Sequence, residues 1–323
     1  MNKICISLSS TSDWETIKRL SSKAEKLDYH SVWFGDHLTG GGGLPAHSHN
    51  SRFECWTLMS ALAPQLTTLR VGPLVLSNSF RNPALLAKMA ATLDSITNGR
   101  LEIGIGAGWM QREYEAYGYE YPPPAVRIGQ MEEGIKIMKL LWTEKNPNFK
   151  GKYYSIKDSV CEPKPVQKPY PPLMIGGSGE KLTLRIVAKE ADRCNFGLRG
   201  GLEQYKHLLN VLRSHCEKVG RSYDEIEKSL FTGVCLFRNE REMETGLKPI
   251  HKKQGSGKPF DDWLNTYKNR VIFGTVDDCV EKIKAYSLLG VTCYILRFEG
   301  GEHSIHHEEG FNLFNEHVLN EIR

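Results

Sequence analysis

The chain has 323 residues, 40% hydrophobic and 25% charged, with a formal net charge of +4 at pH 7. That composition is ordinary for a folded globular protein, and the small net charge argues against a strongly basic nucleic-acid-binding surface. No apolar run reaches the ~20 residues of a membrane span. The amino terminus carries no signal-peptide pattern, so a cytoplasmic, enzyme-sized single domain over residues 1–323 is expected.

In chain order, residues 3–8, 31–34, 70–76, 101–106, 172–175, 191–195, 229–237 and 291–298 read as short apolar strands. Helical spacing marks residues 14–27, 55–63, 83–96, 127–142, 181–189, 203–219, 276–289 and 304–319. The stretch 70–117 is the clearest unit. There Asn82-Pro83 supplies a cap and a first-turn proline, and Leu86, Met89, Ala90 and Leu93 share one face. Asn98-Gly99 then ends the helix before the next strand. Eight alternations predict an α/β fold, a (β/α)8 TIM barrel with right-handed crossovers and its active site on the loops after the strands. The chain exceeds the ~250 residues typical of that fold. Insertions are therefore expected after strands 4 and 7, at about 109–126, 143–171 and 239–273.

Three strand ends carry polar chemistry. The second runs into Gly35-Asp36-His37-Leu38 and a glycine-rich stretch at 40–43. Histidine exchanges protons near neutral pH and a neighbouring carboxylate can orient it; the alternative is a turn capped by Asp36 beside an ordinary histidine. The fourth ends Gly104-Ile105-Gly106-Ala107-Gly108-Trp109, whose alternating glycines share a face. They mark close approach by a ligand or by a tightly packed neighbouring element, and they do not match the dinucleotide fingerprint. The fifth is followed by Gly176-Gly177-Ser178-Gly179 and then a helix. Backbone N–H groups at such a turn suit a phosphate, unless it is only a left-handed turn capped by Ser178.

Other chemistries find little support. The eight cysteines are scattered and form no C-x-x-C pair, which points to reduced structural thiols. His303, His306 and His307 lack any accompanying metal-ligand spacing, so no metal is expected. Residues 176–180 are not the G-x-S-x-G elbow of a hydrolase. The basic segment 248–258 lacks interleaved aromatics and reads as a solvated insertion.

Taken together, SVWFGDHL (31–38), the run 71–109, REYEAYG (112–118) and the runs 171–195 and 273–291 resemble the bacterial luciferase-like family in order and spacing. The resemblance covers nearly the whole chain. It is greatest to the family's coenzyme F420-dependent oxidoreductases. It implies a flavin or deazaflavin at the strand C-termini and redox chemistry on a small organic substrate. It further implies that Asp36 and His37 form the catalytic acid-histidine pair, with His37 facing the cofactor ring as proton donor or acceptor. Leu74-Val75 matches a non-proline cis peptide that bulges against the ring, bordered by Ser77 and Asn78. Ala107, Gly108 and Trp109 match the far side of the ring, and Gly176, Gly177, Ser178 and Gly179 the phosphate cradle.

One departure bears on substrate. Trp109 stands where some deazaflavin dehydrogenases of the family carry a glutamate, which argues against the sugar-phosphate subtype and suits an apolar or aromatic substrate. The Asp-His pair leans towards F420. FMN with monooxygenase chemistry, and a barrel that only binds flavin, are the alternatives, and a phosphate cradle serves either cofactor. The resemblance also implies a homodimer, with residues 53–62 forming either an interface or part of the barrel shell. No nucleic-acid or membrane partner is expected.

Overall fold

The computed structural model describes residues 2–39, 51–197, 200–254, 257–299 and 308–323. Its first third runs β1 (Lys3–Leu8), α1 (Trp14–Lys26), β2 (Ser31–Phe34), α2 (Cys55–Leu62), β3 (Arg70–Pro73), β4 (Leu76–Ser77), α3 (Pro83–Ile96) and β5 (Ile103–Gly106). Next come α4 (Gln111–Ala116), α5 (Pro124–Thr143), the hairpin β6 (Phe149–Lys150) and β7 (Ser155–Ile156), β8 (Leu173–Gly176), α6 (Thr183–Glu190), β9 (Arg193–Gly197) and α7 (Gly201–Val219). The chain finishes with β10 (Glu227–Phe237), α8 (Glu240–Gln254), α9 (Phe260–Tyr267), β11 (Val271–Thr275), α10 (Val276–Ser287), β12 (Val291–Phe298), α11 (Glu308–His317) and α12 (Leu319–Ile322).

Helix starts follow local chemistry. Asp13 accepts from the Thr16 N–H, Asn82 from those of Ala84 and Leu85, and Thr275 with Asp278 forms a reciprocal capping box. The strands pair in parallel in the order β3-β2-β1-β12-β10-β9-β8-β5-β4. A bridge between Val71 and Leu101 joins the two ends and closes the ring. Every barrel strand foreseen from sequence is present. The third is two pieces, β3 and β4, because the peptide between Leu74 and Val75 is cis and breaks the ladder.

Some boundaries differ from the sequence reading. Helix α6 begins at Thr183 rather than 181, because residues 180–182 form a turn. The segment 239–273 is not a simple insertion. It contains α8, α9 and most of β11, a ninth parallel strand on β10 that was not foreseen. Its aromatic residues form a small core of their own, with Trp263 stacked on Tyr267 at 4.8 Å. The four residues 304–307, the three histidines at 303, 306 and 307 and the glycines at 40–43 lie outside the described residues.

Inside the barrel, Cys5, Trp33, Met174, Cys293 and Ile295 pack with Leu74, Val75 and Phe231. The larger core lies between the strands and the helical shell, and it takes in Cys55, Trp56, Leu58, Met59 and Leu62 of α2. Much of the stretch 53–62 is thus shell. At the N-terminal end of the barrel, Glu102 accepts from Arg70 at 2.5 Å and Arg193 at 3.0 Å, while Arg193 also bonds Glu227 at 2.5 Å. Charge pairing of this kind at the bottom face serves stability, leaving the opposite end for chemistry. All eight cysteines are free and buried. No helix among the described residues is long and apolar enough to cross a membrane.

Candidate active site

The alternating glycines face Val75. A Cβ added at Gly104 would sit 2.9 Å from Val75 Cγ1, and closer still to the Pro73 carbonyl oxygen. One at Gly106 would sit 2.9 Å from Val75 Cγ2, and one at Gly176 3.0 Å from both Val75 methyls. The neighbour that needs these glycines is therefore the cis-peptide segment of the chain itself, and the tight-packing reading is the right one for Gly104 and Gly106. Leu74 and Val75, both half-buried, are held up from below as an apolar platform at the barrel mouth.

His37 and Asp36 part company. Consecutive residues leaving a strand point to opposite sides. Asp36, buried, accepts from Arg81 through both oxygens at 2.9 and 3.0 Å and from the Ser77 N–H at 2.9 Å. Arg81 is also paired with Glu54. Burial alone would lower the pKa of Arg81, but the Asp36 carboxylate outweighs it and raises it. Asp36 thus ties the second barrel strand to the segment after β4 and is not the partner of His37, as the adjacent pair in the sequence had suggested.

The carboxylate beside His37 is Glu113 of α4, with Oε2 2.9 Å from Nδ1. Its Oε1 accepts from the backbone N–H groups of Leu38 and Thr39 at 2.9 and 3.0 Å and from the Thr39 hydroxyl at 3.3 Å. Burial pushes the Glu113 carboxyl up, yet the bonds from His37 and from the Thr39 and Leu38 backbone prevail and hold it below the usual range. Trp109 meets the imidazole edge-on, with centroids 5.9 Å apart and an 87° angle, while its indole is 60% exposed. The indole is thus largely exposed and does not belong to the core.

The remaining expected residues are held by contacts of their own. The Ser77 hydroxyl lies 2.9 Å from that of Tyr114, and Asn78 donates to Tyr154 at 3.3 Å. Gly108 adopts φ +73, and a side chain there would strike the Tyr114 hydroxyl and sit 2.6 Å from Ser77 Oγ, so a glycine is required. Ala107 offers its carbonyl to Tyr114 at 3.5 Å. In the turn after β8, Gly177 has φ +137, and a Cβ on Gly179 would lie 2.7 Å from the Thr183 hydroxyl at the start of α6. The Gly177 N–H already donates to the Asn195 carbonyl at 3.2 Å, which removes it from the expected anion donors. The N–H groups of Ser178 and Gly179 bond no acceptor among the described residues. No cluster of three metal-ligating side chains occurs among the described residues.

Sequence reasoning missed Glu113, Arg81 and Tyr114. Glu113 sits inside REYEAYG, which contributed to the resemblance, but only the fold brings it across 76 positions to His37.

Residues 3–293 match the family model for luciferase-like monooxygenases. The F420-dependent glucose-6-phosphate dehydrogenase of Microbacterium testaceum (strain StLB037) is 31% identical over 321 residues, covering 93% of this chain and 91% of that protein. The FMNH(2)-dependent dimethylsulfone monooxygenase of Pseudomonas putida is 26% identical over 332 residues, covering 95% and 87%. Among solved structures, an F420-dependent secondary alcohol dehydrogenase in complex with an F420-acetone adduct superposes with a TM-score of 0.81 over 100% of this chain and 99% of that one. At 19% identity that likeness speaks for the fold alone. With a family model spanning most of the chain and the barrel closed as described, this protein belongs to the luciferase-like monooxygenase family and is an oxidoreductase.

Proposed function

We propose that the chain is a coenzyme F420-dependent oxidoreductase that moves hydride between the deazaflavin and a small organic substrate, with His37 carrying the accompanying proton. The observation that carries this reading is His37 itself, a quarter-exposed imidazole just after β2 held by a buried carboxylate. The residues present fit the cofactor. Val75 and Leu74 offer an apolar surface for a planar ring, and Ala107 and Trp109 the wall across it. The Ser178 and Gly179 N–H groups offer donors for a phosphate near the start of α6.

When bound, a deazaflavin supplies two-electron hydride chemistry and is nearly inert to oxygen. The chain's own residues do the rest. Val75, propped by Gly104, Gly106 and Gly176, sets the level of the ring face. His37 gives or takes a proton at its outward nitrogen, with the Trp109 indole edge-on to the imidazole. Trp109 also discourages extending the sugar-phosphate substrate of the Microbacterium relative to this chain. An apolar or aromatic substrate is the better match. A homodimer belongs to the same proposal on the resemblance alone.

The test compares wild type with His37→Ala, measuring the dissociation constant for F420 and the rate of F420 reduction by a panel of alcohols and glucose 6-phosphate. Cofactor affinity should change little while the rate falls about 10²- to 10⁴-fold, the usual worth of general acid-base help. An unchanged rate would remove His37 from the reaction. A joint loss of binding and rate would make it only a pocket former. FMN-dependent monooxygenation is the second reading, favoured by the Pseudomonas relative aligned over 95% of this chain.

A further inference from the structure

We infer that Glu113 is a positioning residue that fixes the tautomer of His37, so that Nδ1 carries the hydrogen and Nε2 is the nitrogen that exchanges protons. This rests on the reading of His37 as the proton carrier. The argument begins with Oε1 of Glu113, which receives two backbone N–H groups and a hydroxyl from Leu38 and Thr39. Three donors leave this carboxyl group ionised, and an ionised carboxylate only accepts. Its other oxygen stands 2.9 Å from His37 Nδ1, so the hydrogen between them must belong to Nδ1. In neutral imidazole, Nε2 is then the bare acceptor. Nε2 has no hydrogen-bond partner among the described residues. In the reverse direction the same oxygen still accepts the Nδ1–H while Nε2 donates.

The arrangement is rigid on both sides. Glu113 has a side chain only 2% exposed, and α4 belongs to the insertion that also carries Trp109 against the imidazole edge. One inserted segment therefore sets the position, the rotation and the tautomer of the ring. Neither Asp36, which is committed to Arg81, nor any other described carboxylate bonds this histidine.

The geometry makes Glu113→Gln a directed test. The amide oxygen must keep facing the Leu38 and Thr39 N–H groups, since an NH₂ there would meet two donors. The NH₂ is thereby forced towards His37 and donates to Nδ1, which drives the hydrogen to Nε2. The replacement keeps shape and connectivity while reversing the tautomer, as an Asp→Asn change does in a serine-protease triad, where it costs about 10⁴-fold.

The readout is ¹⁵N NMR of histidine-labelled, cofactor-free protein, with the His37 signals assigned by their loss in His37→Gln. Wild type should show protonated Nδ1 and bare Nε2, and Glu113→Gln the reverse, with F420 affinity retained and turnover reduced about 10²- to 10⁴-fold. Bare Nδ1 in wild type, or an unchanged tautomer in Glu113→Gln, overturns the inference, and the first result decides even if the variant fails to fold. Full turnover in Glu113→Gln while His37→Ala is inactive also overturns it and leaves His37 as proton carrier standing. Full turnover in His37→Ala instead defeats the functional reading, while the tautomer is judged separately by NMR.

Discussion

Replacing Gly104 by alanine tests whether the alternating glycines exist to seat Val75. The new Cβ would lie 2.9 Å from Val75 Cγ1 and 3.0 Å from Met174 Cε, with the Pro73 carbonyl oxygen nearer than either. Carbon atoms in contact rest ~3.5–4.0 Å apart, so the methyl needs at least about 0.6 Å more room. Val75 and Met174 can turn, but the Pro73 carbonyl is main chain at the end of β3, paired with β2, so backbone must shift. Overpacking of this kind costs ~1–3 kcal/mol and sometimes more. The loss of unfolded-state freedom on Gly→Ala returns about 0.4–1 kcal/mol. A net loss of roughly 1–2 kcal/mol follows, a sizeable part of the ~5–15 kcal/mol stability of a folded domain. Gly197→Ala is the control, because a Cβ there meets no described atom within 4 Å and its φ is not in the left-handed region. Urea unfolding followed by circular dichroism should separate the two variants, with Gly197→Ala equal to wild type or slightly more stable. Equal stability of Gly104→Ala and Gly197→Ala would refute the role assigned to the glycine face.

Two further predictions concern the barrel floor and the glycine turn. Arg193→Met leaves Glu102 buried without one of its two guanidinium partners, and it should cost about 3–5 kcal/mol by thermal or urea unfolding. Burial raises the Glu102 pKa, but Arg193 and then Arg70 outweigh it and hold it below its ordinary value. A depressed folded-state pKa contributes stability above the unfolded value that is lost as pH falls through the folded one. The wild type should therefore lose stability on acidification below the ordinary carboxylate range, and Arg193→Met should lose less over that window. At the turn, Ser178→Ala should weaken F420 binding by only ~1 kcal/mol, because the donors are main-chain groups. Gly177→Val should weaken it far more, since φ is +137 and its Cβ lies 3.2 Å from Thr183 Cγ2. Similar losses from both changes, measured by fluorescence titration, would show that this turn is not the anion site.

The barrel was legible because strand-like runs alternate with helical patterns along the whole chain, and helix starts such as Asn82-Pro83 and Thr275 speak through local spacing alone. Strand β11 was not legible. Val271–Thr275 lies beyond two insertion helices, and only its parallel pairing with Gly233–Phe237 of β10 makes it a strand. The cis bond at Leu74-Val75 followed from resemblance, since no local propensity signals a non-proline cis peptide. Asp36 and His37 misled by adjacency, which in an extended chain separates side chains instead of joining them. Glu113 escaped because α4 has six residues, too few for a periodic pattern, and its partner is remote in sequence. Gly177 looked like an anion donor until the fold supplied the Asn195 carbonyl to its N–H.

The most direct test of F420-dependent redox chemistry is titration of the purified wild-type protein with coenzyme F420 and, in parallel, with FMN, following fluorescence and then absorbance on addition of the alcohol panel. Saturable binding of F420 in preference to FMN, followed by loss of the oxidised F420 absorbance with at least one substrate, is the predicted result. Saturable binding of FMN with no binding of F420 would contradict it and move the chain to the monooxygenase branch of its family.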